Sequence, residues 1–294
     1  MSINVPSHYA LQFANNIQLL LQQKGSKLRG TTMEGSHKGE SASPVDQYGA
    51  VEMQEVTSRF QPMGRVDAPV DRRWVNPISF DLPQMVDSFD LLKTLLDPKS
   101  SYVTNAVYAA GRKYDDLILD ACFSSASTGK RGATATSFLA GNIIAVNEGG
   151  GGNTGLTVAK LRAAKKKLMG HEVDLDNDPL FCAITSIQAD NLLAEAQVIS
   201  LDYNEKPVLM DGKVTRFLGI NFIHCERVDT NASSYRLVPV YAKSGMHLGI
   251  WEDMKVDISE RKDIQSIPWQ VYLKMTAGAT RLEEKKVVQV LCAE

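Results

Sequence analysis

The 294-residue sequence has four cysteines and no C-x-x-C pair among them. Cys122, Cys182, Cys225 and Cys292 stand far apart, which excludes a locally built zinc ribbon or thioredoxin-like motif. Three have apolar or small neighbours and read as small hydrophobes in a reducing compartment. Cys225 lies in His224-Cys225-Glu226, but adjacent strand residues point to opposite faces, so the triplet does not converge on one ion. No apolar run approaches the roughly 18 residues of a bilayer-spanning helix, so no membrane partner is expected. A cationic surplus is also missing. The 32 Lys and Arg against 34 Asp and Glu leave a net charge of −2, whereas binding by phosphate neutralisation calls for a clear excess of Lys and Arg. Met1 to His8 shows no basic stretch leading into an apolar one, so no secretory leader is expected. These absences point to a soluble protein made inside a cell.

Catalytic and ligand signatures are equally scarce. His8, His37, His171, His224 and His247 are dispersed, with no H-E-x-x-H spacing, and no G-x-S-x-G elbow occurs. Gly149 to Gly152 and Gly129-Lys130-Arg131-Gly132 lack the spacing of a phosphate-cradling loop. Asp174-Leu175-Asp176-Asn177-Asp178 alternates acids as a Ca²⁺ loop does, but Pro179 and Thr185 stand where that loop needs Gly and Glu. Asp87 with Asp90, and Asp116 with Asp120, lie one helical turn apart and read as helix-surface charge. The face formed by Lys160, Arg162, Lys165, Lys166 and Lys167 reads as solvated, with a phosphate-facing role as the alternative. Neither an enzyme, a cofactor nor a metal is expected.

What the sequence does contain is organisation. Residues 8–23 carry Leu11, Ala14, Ile17, Leu20 and Leu21 near helical spacing. From Lys24 to Arg73 there is no Ile and a single Leu, so this segment cannot offset its own ordering entropy by burial. Yet Val51 and Met53 alternate, the phase slips at Gln54-Glu55 as in a β-bulge, and Val56, Ser58 and Phe60 resume it. With Ile78, Phe80 and Leu82 beyond a Pro/Gly turn, this predicts a long hairpin that needs a foreign surface. Met85 to Leu96 predicts a short helix ended by Asp97-Pro98. Tyr102, Val103, Ala106, Val107, Ala110, Tyr114, Leu117, Ile118, Ala121 and Cys122 predict a long helix from Lys99 to about Ser125. The glycine run after Glu148 is the best boundary, and Thr157 caps the next helix. Strands are predicted at 181–185, 219–225, twice within 237–250, and in the alternating tail, with a further helix at 188–195. The class is α+β, with the last strands returning to the long helix.

Several of these pieces, in this order, match a known pattern. They are Tyr9-Ala10-Leu11-Gln12-Phe13 through Gln22 to Arg29, the hairpin over 49–82, and Asp97-Pro98 followed by the long helix with Gly111-Arg112-Lys113-Tyr114-Asp115. Leu156-Thr157-Val158-Ala159-Lys160-Leu161 follows, then Val256-Asp257-Ile258-Ser259-Glu260-Arg261, Trp269 to Met275, Gly278-Ala279-Thr280-Arg281-Leu282 and Val287-Val288-Gln289-Val290. In these the chain resembles the major capsid proteins of tailed double-stranded DNA bacteriophages, which have the Hong Kong 97-like fold. The resemblance implies an N-terminal arm over 1–48 and an extended loop over 49–82. It implies a peripheral domain over 83–154 with the spine helix, an axial domain over 155–248, and returning peripheral strands over 249–294.

The resemblance further implies a virion shell protein, assembled in the host cytoplasm as hexamers and pentamers around DNA that it contacts weakly and non-specifically. A separate scaffolding protein is implied, since the sequence matches no long cleavable scaffolding region such as some members carry; a portal and decoration proteins are the other implied partners. The family's Lys–Asn crosslink finds no match. Val51, Met53, Val56, Phe60, Arg65, Ile78 and Phe80 are the expected inter-subunit contacts. Arg72 and Arg73 are expected to meet Asp87 and Asp90 of a neighbouring copy, so that converting both arginines to Glu blocks shells but leaves a folded monomer. The competing readings are an encapsulin-like compartment and, from another class, a soluble metal-binding protein or enzyme using Asp174–Asp178.

Overall fold

The alternating tail of the sequence builds the longest strands. In the computed structural model, which describes residues 21–60, 62, 64–86, 99–195, 214–265 and 267–294, β12 (Met246–Glu260) and β13 (Trp269–Arg281) form an antiparallel ribbon. Register shifts near Glu252 mark an irregularity in that ladder. On the far side of β13 lies β4 (Ile78–Val86), with Phe80 opposite Met275. On the far side of β12 lies β1 (Met33–Ser36), in parallel. Val271, Leu273, Met275 and Ala277 alternate onto one buried face. That face is covered by α1 (Lys99–Phe123), whose Ala106, Ala110, Tyr114 and Ile118 follow a helical stripe. Alanines on the stripe let the helix approach the sheet closely, and each larger side chain buried there contributes roughly 1.5–3 kcal/mol.

A second sheet has the order β7 (Ile143–Ile144), β14 (Val287–Cys292), β11 (Arg236–Ala242), β8 (Leu180–Ile184), β10 (Ile220–His224) and β9 (Arg216–Phe217). It packs on α2 (Val158–Gly170) through Leu161, Ala164 and Leu168, and on α3 (Ser186–Ala194) through Leu192. The Thr157 side chain accepts the Lys160 amide and so caps α2, as the sequence predicts. Thr185 and Gln188 form a capping box on α3. The last strand differs from expectation. β14 pairs with β11, while β12 and β13 lie against α1. Val287 to Val290 are buried on both faces, which suits a strand inside the second sheet.

A third, smaller sheet has the order β2 (Asp46–Tyr48), β3 (Val70–Trp74), β5 (Ala126–Thr128) and β6 (Thr134–Thr136). It corrects the predicted hairpin. The ladder across the turn joins Asp46–Tyr48 to Val70–Arg72, with an isolated Ala42–Val75 bridge beyond it, and Val51 to Phe60 forms no strand. Alternation gives a segment strand tendency, but a ladder needs a partner, and Ile78–Val86 already pairs with β13. Met85 and Val86 end β4 rather than start a helix, and the rest of that predicted helix lies outside the described residues. The predicted helix over 8–23 also lies outside them except for 21–23, which are not helical.

Candidate functional site: an arm socket and an exposed loop

Where residues 22–32 cross α1, the helix carries a socket. Asp115 is fully buried, and its Oδ1 accepts the Leu28 amide at 3.0 Å and the Ser26 hydroxyl at 2.5 Å. The Lys27 amide reaches Oδ2 at 3.0 Å, and the Gln23 side-chain amide donates to the same oxygen. One turn earlier on the same face, Gly111 lets the backbone pass. A Cβ there would lie 2.4 Å from the Gly25 carbonyl carbon and 2.5 Å from the Ser26 nitrogen. Arg112 donates to the Gln22 side chain at 2.8 Å and to the Gln23 carbonyl at 3.2 Å. Leu28 then inserts fully into the core beneath α1.

The socket continues onto β12. The Tyr114 hydroxyl donates to Asp253 at 2.9 Å, and Arg29 lies over the Tyr114 ring while pairing with Asp253 at 3.1 Å. Burial and the Asp253 hydrogen bond raise the Tyr114 pKa, so the phenol stays a donor. Sequence reasoning assigned no role to Asp115, Gly111, Arg29 or Asp253. A signal was present: Gly in a helix interior costs roughly 1 kcal/mol relative to Ala, and an acid four residues on lies on the same face.

The loop between β2 and β3 presents Val51, Met53, Val56 and Phe60 to solvent, with Met53 102% and Phe60 101% exposed relative to a free residue. Ile78 is also exposed, Phe80 packs beneath α1, and Arg65 pairs with Asp67 within the loop. Arg72 and Arg73 fare differently from expectation. Arg72 is half-exposed and pairs with Asp46 of its own chain at 2.5 Å. Arg73 is buried, and its Nη2 donates to Glu284 at 2.6 Å and its Nε to Gln47 at 3.2 Å. Its side chain alternates to the opposite face from Arg72, toward the core. Asp87 and Asp90 lie outside the described residues. The expected folded double variant is therefore corrected: Arg73→Glu brings two carboxylates together in a buried place, and the monomer itself is destabilised. Arg72→Glu alone breaks a solvent-accessible pair and is expected to lower the melting temperature far less than Arg73→Glu, which a thermal melt of each single variant checks.

The remaining candidates are occupied internally. Lys160 is fully buried, with its Nζ donating to the carbonyls of Thr154, Gly155 and Leu291 at 2.7–2.9 Å. Lys165 donates to the Leu218 carbonyl, and Lys167 to those of Gly141 and Ile143. Only Arg162 and Lys166 of the basic face are exposed. In the acidic turn, Asp174 accepts from the Asp176 and Asn177 amides and Asp178 from Ser244. Among the described residues no three His, Cys, Asp or Glu side chains are grouped to hold a metal. All four cysteines are buried, and burial pushes the Cys122 and Cys292 thiols up to about 12.

Comparison with known proteins places this chain, with its arm socket and exposed apolar loop, in a family. A family described as phage capsid protein matches residues 5–294. No curated protein matches the sequence. The capsid of cyanophage Pam1 superposes with a TM-score of 0.76 at 12% identity, covering 99% of this chain and 98% of that one. The capsid of cyanophage P-SCSP1u gives 0.74 at 14% identity, covering 98% and 94%. That of Ralstonia phage GP4 gives 0.70 at 10% identity, covering 100% and 98%. The α+β architecture is therefore the Hong Kong 97-like fold of tailed-phage capsids. With the family matched from residue 5 to the last residue, the chain belongs to the phage capsid proteins and is a structural major capsid protein, not an enzyme.

Proposed function

We propose that copies of this chain assemble as hexamers and pentamers into an icosahedral shell that encloses double-stranded DNA. The observation that carries this reading is the loop between β2 and β3, which exposes Val51, Met53, Val56 and Phe60, with nothing among the described residues packed over them. Burying each on a neighbouring copy contributes roughly 1–3 kcal/mol, so many such contacts per shell offset the cost of association. The packaged DNA is touched weakly and without sequence preference, in keeping with a net charge of −2 and with three lysines of α2 bound to backbone carbonyls. A separate scaffolding protein, a portal and decoration proteins complete the particle, which forms in the host cytoplasm and persists as the virion.

Electron microscopy of the purified full-length chain tests assembly. Closed shells, tubes or capsomers are expected, and dispersed monomers at all concentrations count against the proposal. Replacing Met53 and Phe60 together by Ser is expected to reduce assembly at least tenfold while the thermal melt stays unchanged, because neither side chain is packed in the monomer. Assembly of that variant at the parental rate contradicts the role given to the loop.

A further inference from the structure

The edge of β12 holds a histidine pair for which the capsid role has no use. β1 adds to that edge in parallel, with Met33 opposite His247 and Gly35 opposite Gly249, and the His37 amide donates to the Ile250 carbonyl at 2.9 Å. The two imidazoles meet through their Nε2 atoms at 2.8 Å. Both glycines make room for them. A Cβ on Gly35 would lie 2.9 Å from the His247 ring, and one on Gly249 would lie 2.8 Å from the His37 ring. The His37 ring also packs on Trp251 at 5.3 Å, and the Trp251 indole N–H donates to the Gly39 carbonyl, so residues 35–39 are fastened at both ends.

The hydrogen bond has one inexpensive arrangement. His247 is buried, and its Nδ1 has no partner. A proton on that Nδ1 would be a buried, unsatisfied donor, so His247 carries its proton on Nε2 and donates to the bare Nε2 of the half-exposed His37. Protonating His37 turns that acceptor into a second donor, and protonating both rings sets two cations 2.8 Å apart. No carboxylate among the described residues offsets this. On β1, Glu34 pairs with Arg29. On β12, Asp253 serves Arg29 and Tyr114. On β13, Thr280 faces His247, and Arg281 donates to the Cys122 and Ser124 carbonyls. Lys38, next to the pair, is exposed.

We propose that His37 and His247 form a pH-sensitive clasp that holds residues 33–39 on the β12 edge while both rings are neutral and releases them when the rings are protonated. Burial lowers both pKa values, and it lowers that of His247 to about 4 with the His37 charge as the second cause. Above pH 6.5 neither the docked nor the released segment takes up protons here, so docking is at full strength. Between pH 6.5 and 4 the released segment binds protons that the docked one refuses, so docking is progressively lost as the pH falls.

Hydrogen exchange of the full-length chain at the residue-37 amide tests the clasp, corrected for the intrinsic pH dependence of exchange. Opening is expected to rise about 30-fold between pH 7.5 and pH 5 for the one proton on His247. In the double variant His37→Gln, His247→Gln, which keeps a hydrogen-bonding pair that does not titrate, the rise should disappear. An equal rise in that variant, or none in the parent, overturns the proposal. An NMR titration of His247 in the unaltered chain is independent of how the variant folds: a midpoint well below 6.5 supports the clasp, and one at 6.5 refutes it.

Discussion

Replacing Asp115 by Ala is expected to free residues 22–28 from α1 while leaving the two-sheet body folded. The carboxylate accepts two backbone amides, a hydroxyl and a side-chain amide from that segment, and all of these lose their partner together. Alanine keeps or improves helix propensity, so α1 has no reason to unwind. Hydrogen bonds to a buried charge, with the donors left unpaired on its removal, place the loss at about 3 kcal/mol, roughly a hundredfold in the docking equilibrium. Exchange of the Lys27 and Leu28 amides should rise by about that factor while amides in β13 keep their protection. Gly111→Val is expected to give the same pattern by a different route, because its side chain occupies the space of Gly25 and Ser26. If Lys27 and Leu28 stay protected in both variants, the socket does not hold the segment. In electron micrographs both variants should yield fewer closed shells than the parent, since the released arm no longer leaves the subunit at a fixed place.

How much of this was legible in the sequence depends on how local each signal is. The stripe from Tyr102 to Cys122 names one helix face by itself, and the Thr157 cap sits beside the helix it starts, so α1 and α2 are readable; α3 is found but starts two residues early, because its Thr185 cap reads as the end of a strand. The alternation of Trp269 to Met275 likewise identifies β13. Pairing is a different matter. Nothing near Ile78 says that its strand joins residues some 200 positions away rather than the run from Val51, and β14 gives no hint that it joins β11. Charge fails for the same reason. Lys160 and Lys166 look alike in sequence, yet one is buried among three carbonyls and the other faces water. The socket was half visible, since its residues were marked as a pattern, but the segment that Asp115 holds lies almost 90 residues earlier. Function came from the order of weak patterns along the chain, and contact residues from single patterns were less secure, as Arg73 illustrates.

Glu284→Gln is expected to destabilise the base of the extended loop clearly more than Arg73→Met does. Glu284 lies just after β13, and among the described residues it is the acid paired with two buried guanidiniums, Arg73 at 2.6 Å and Arg281 at 3.7 Å. Arg281 is fully buried. It donates to the carbonyls of Cys122 and Ser124, which closes the C-terminal end of α1, and it lies over the Phe138 ring. Desolvation lowers the Arg281 pKa, the expected mark of a cation held where water cannot reach. The cluster therefore ties β3, the end of α1 and the chain after β13 into one unit with one carboxylate for two cations. Removing the carboxylate leaves two buried charges uncompensated, at a cost of about 3–5 kcal/mol and a fall in melting temperature of roughly 10 °C. Arg73→Met removes the other sign and leaves Arg281 and Glu284 as a balanced pair, so it should cost clearly less despite deleting the 2.6 Å bond. Simple loss of the nearest hydrogen bond predicts the reverse order, because a glutamine amide oxygen at 284 still accepts from Arg73 whereas methionine at 73 has no donor. Thermal melts of the two decide between these accounts: Glu284→Gln well below Arg73→Met supports charge balance, and equal melting or the reverse order excludes it.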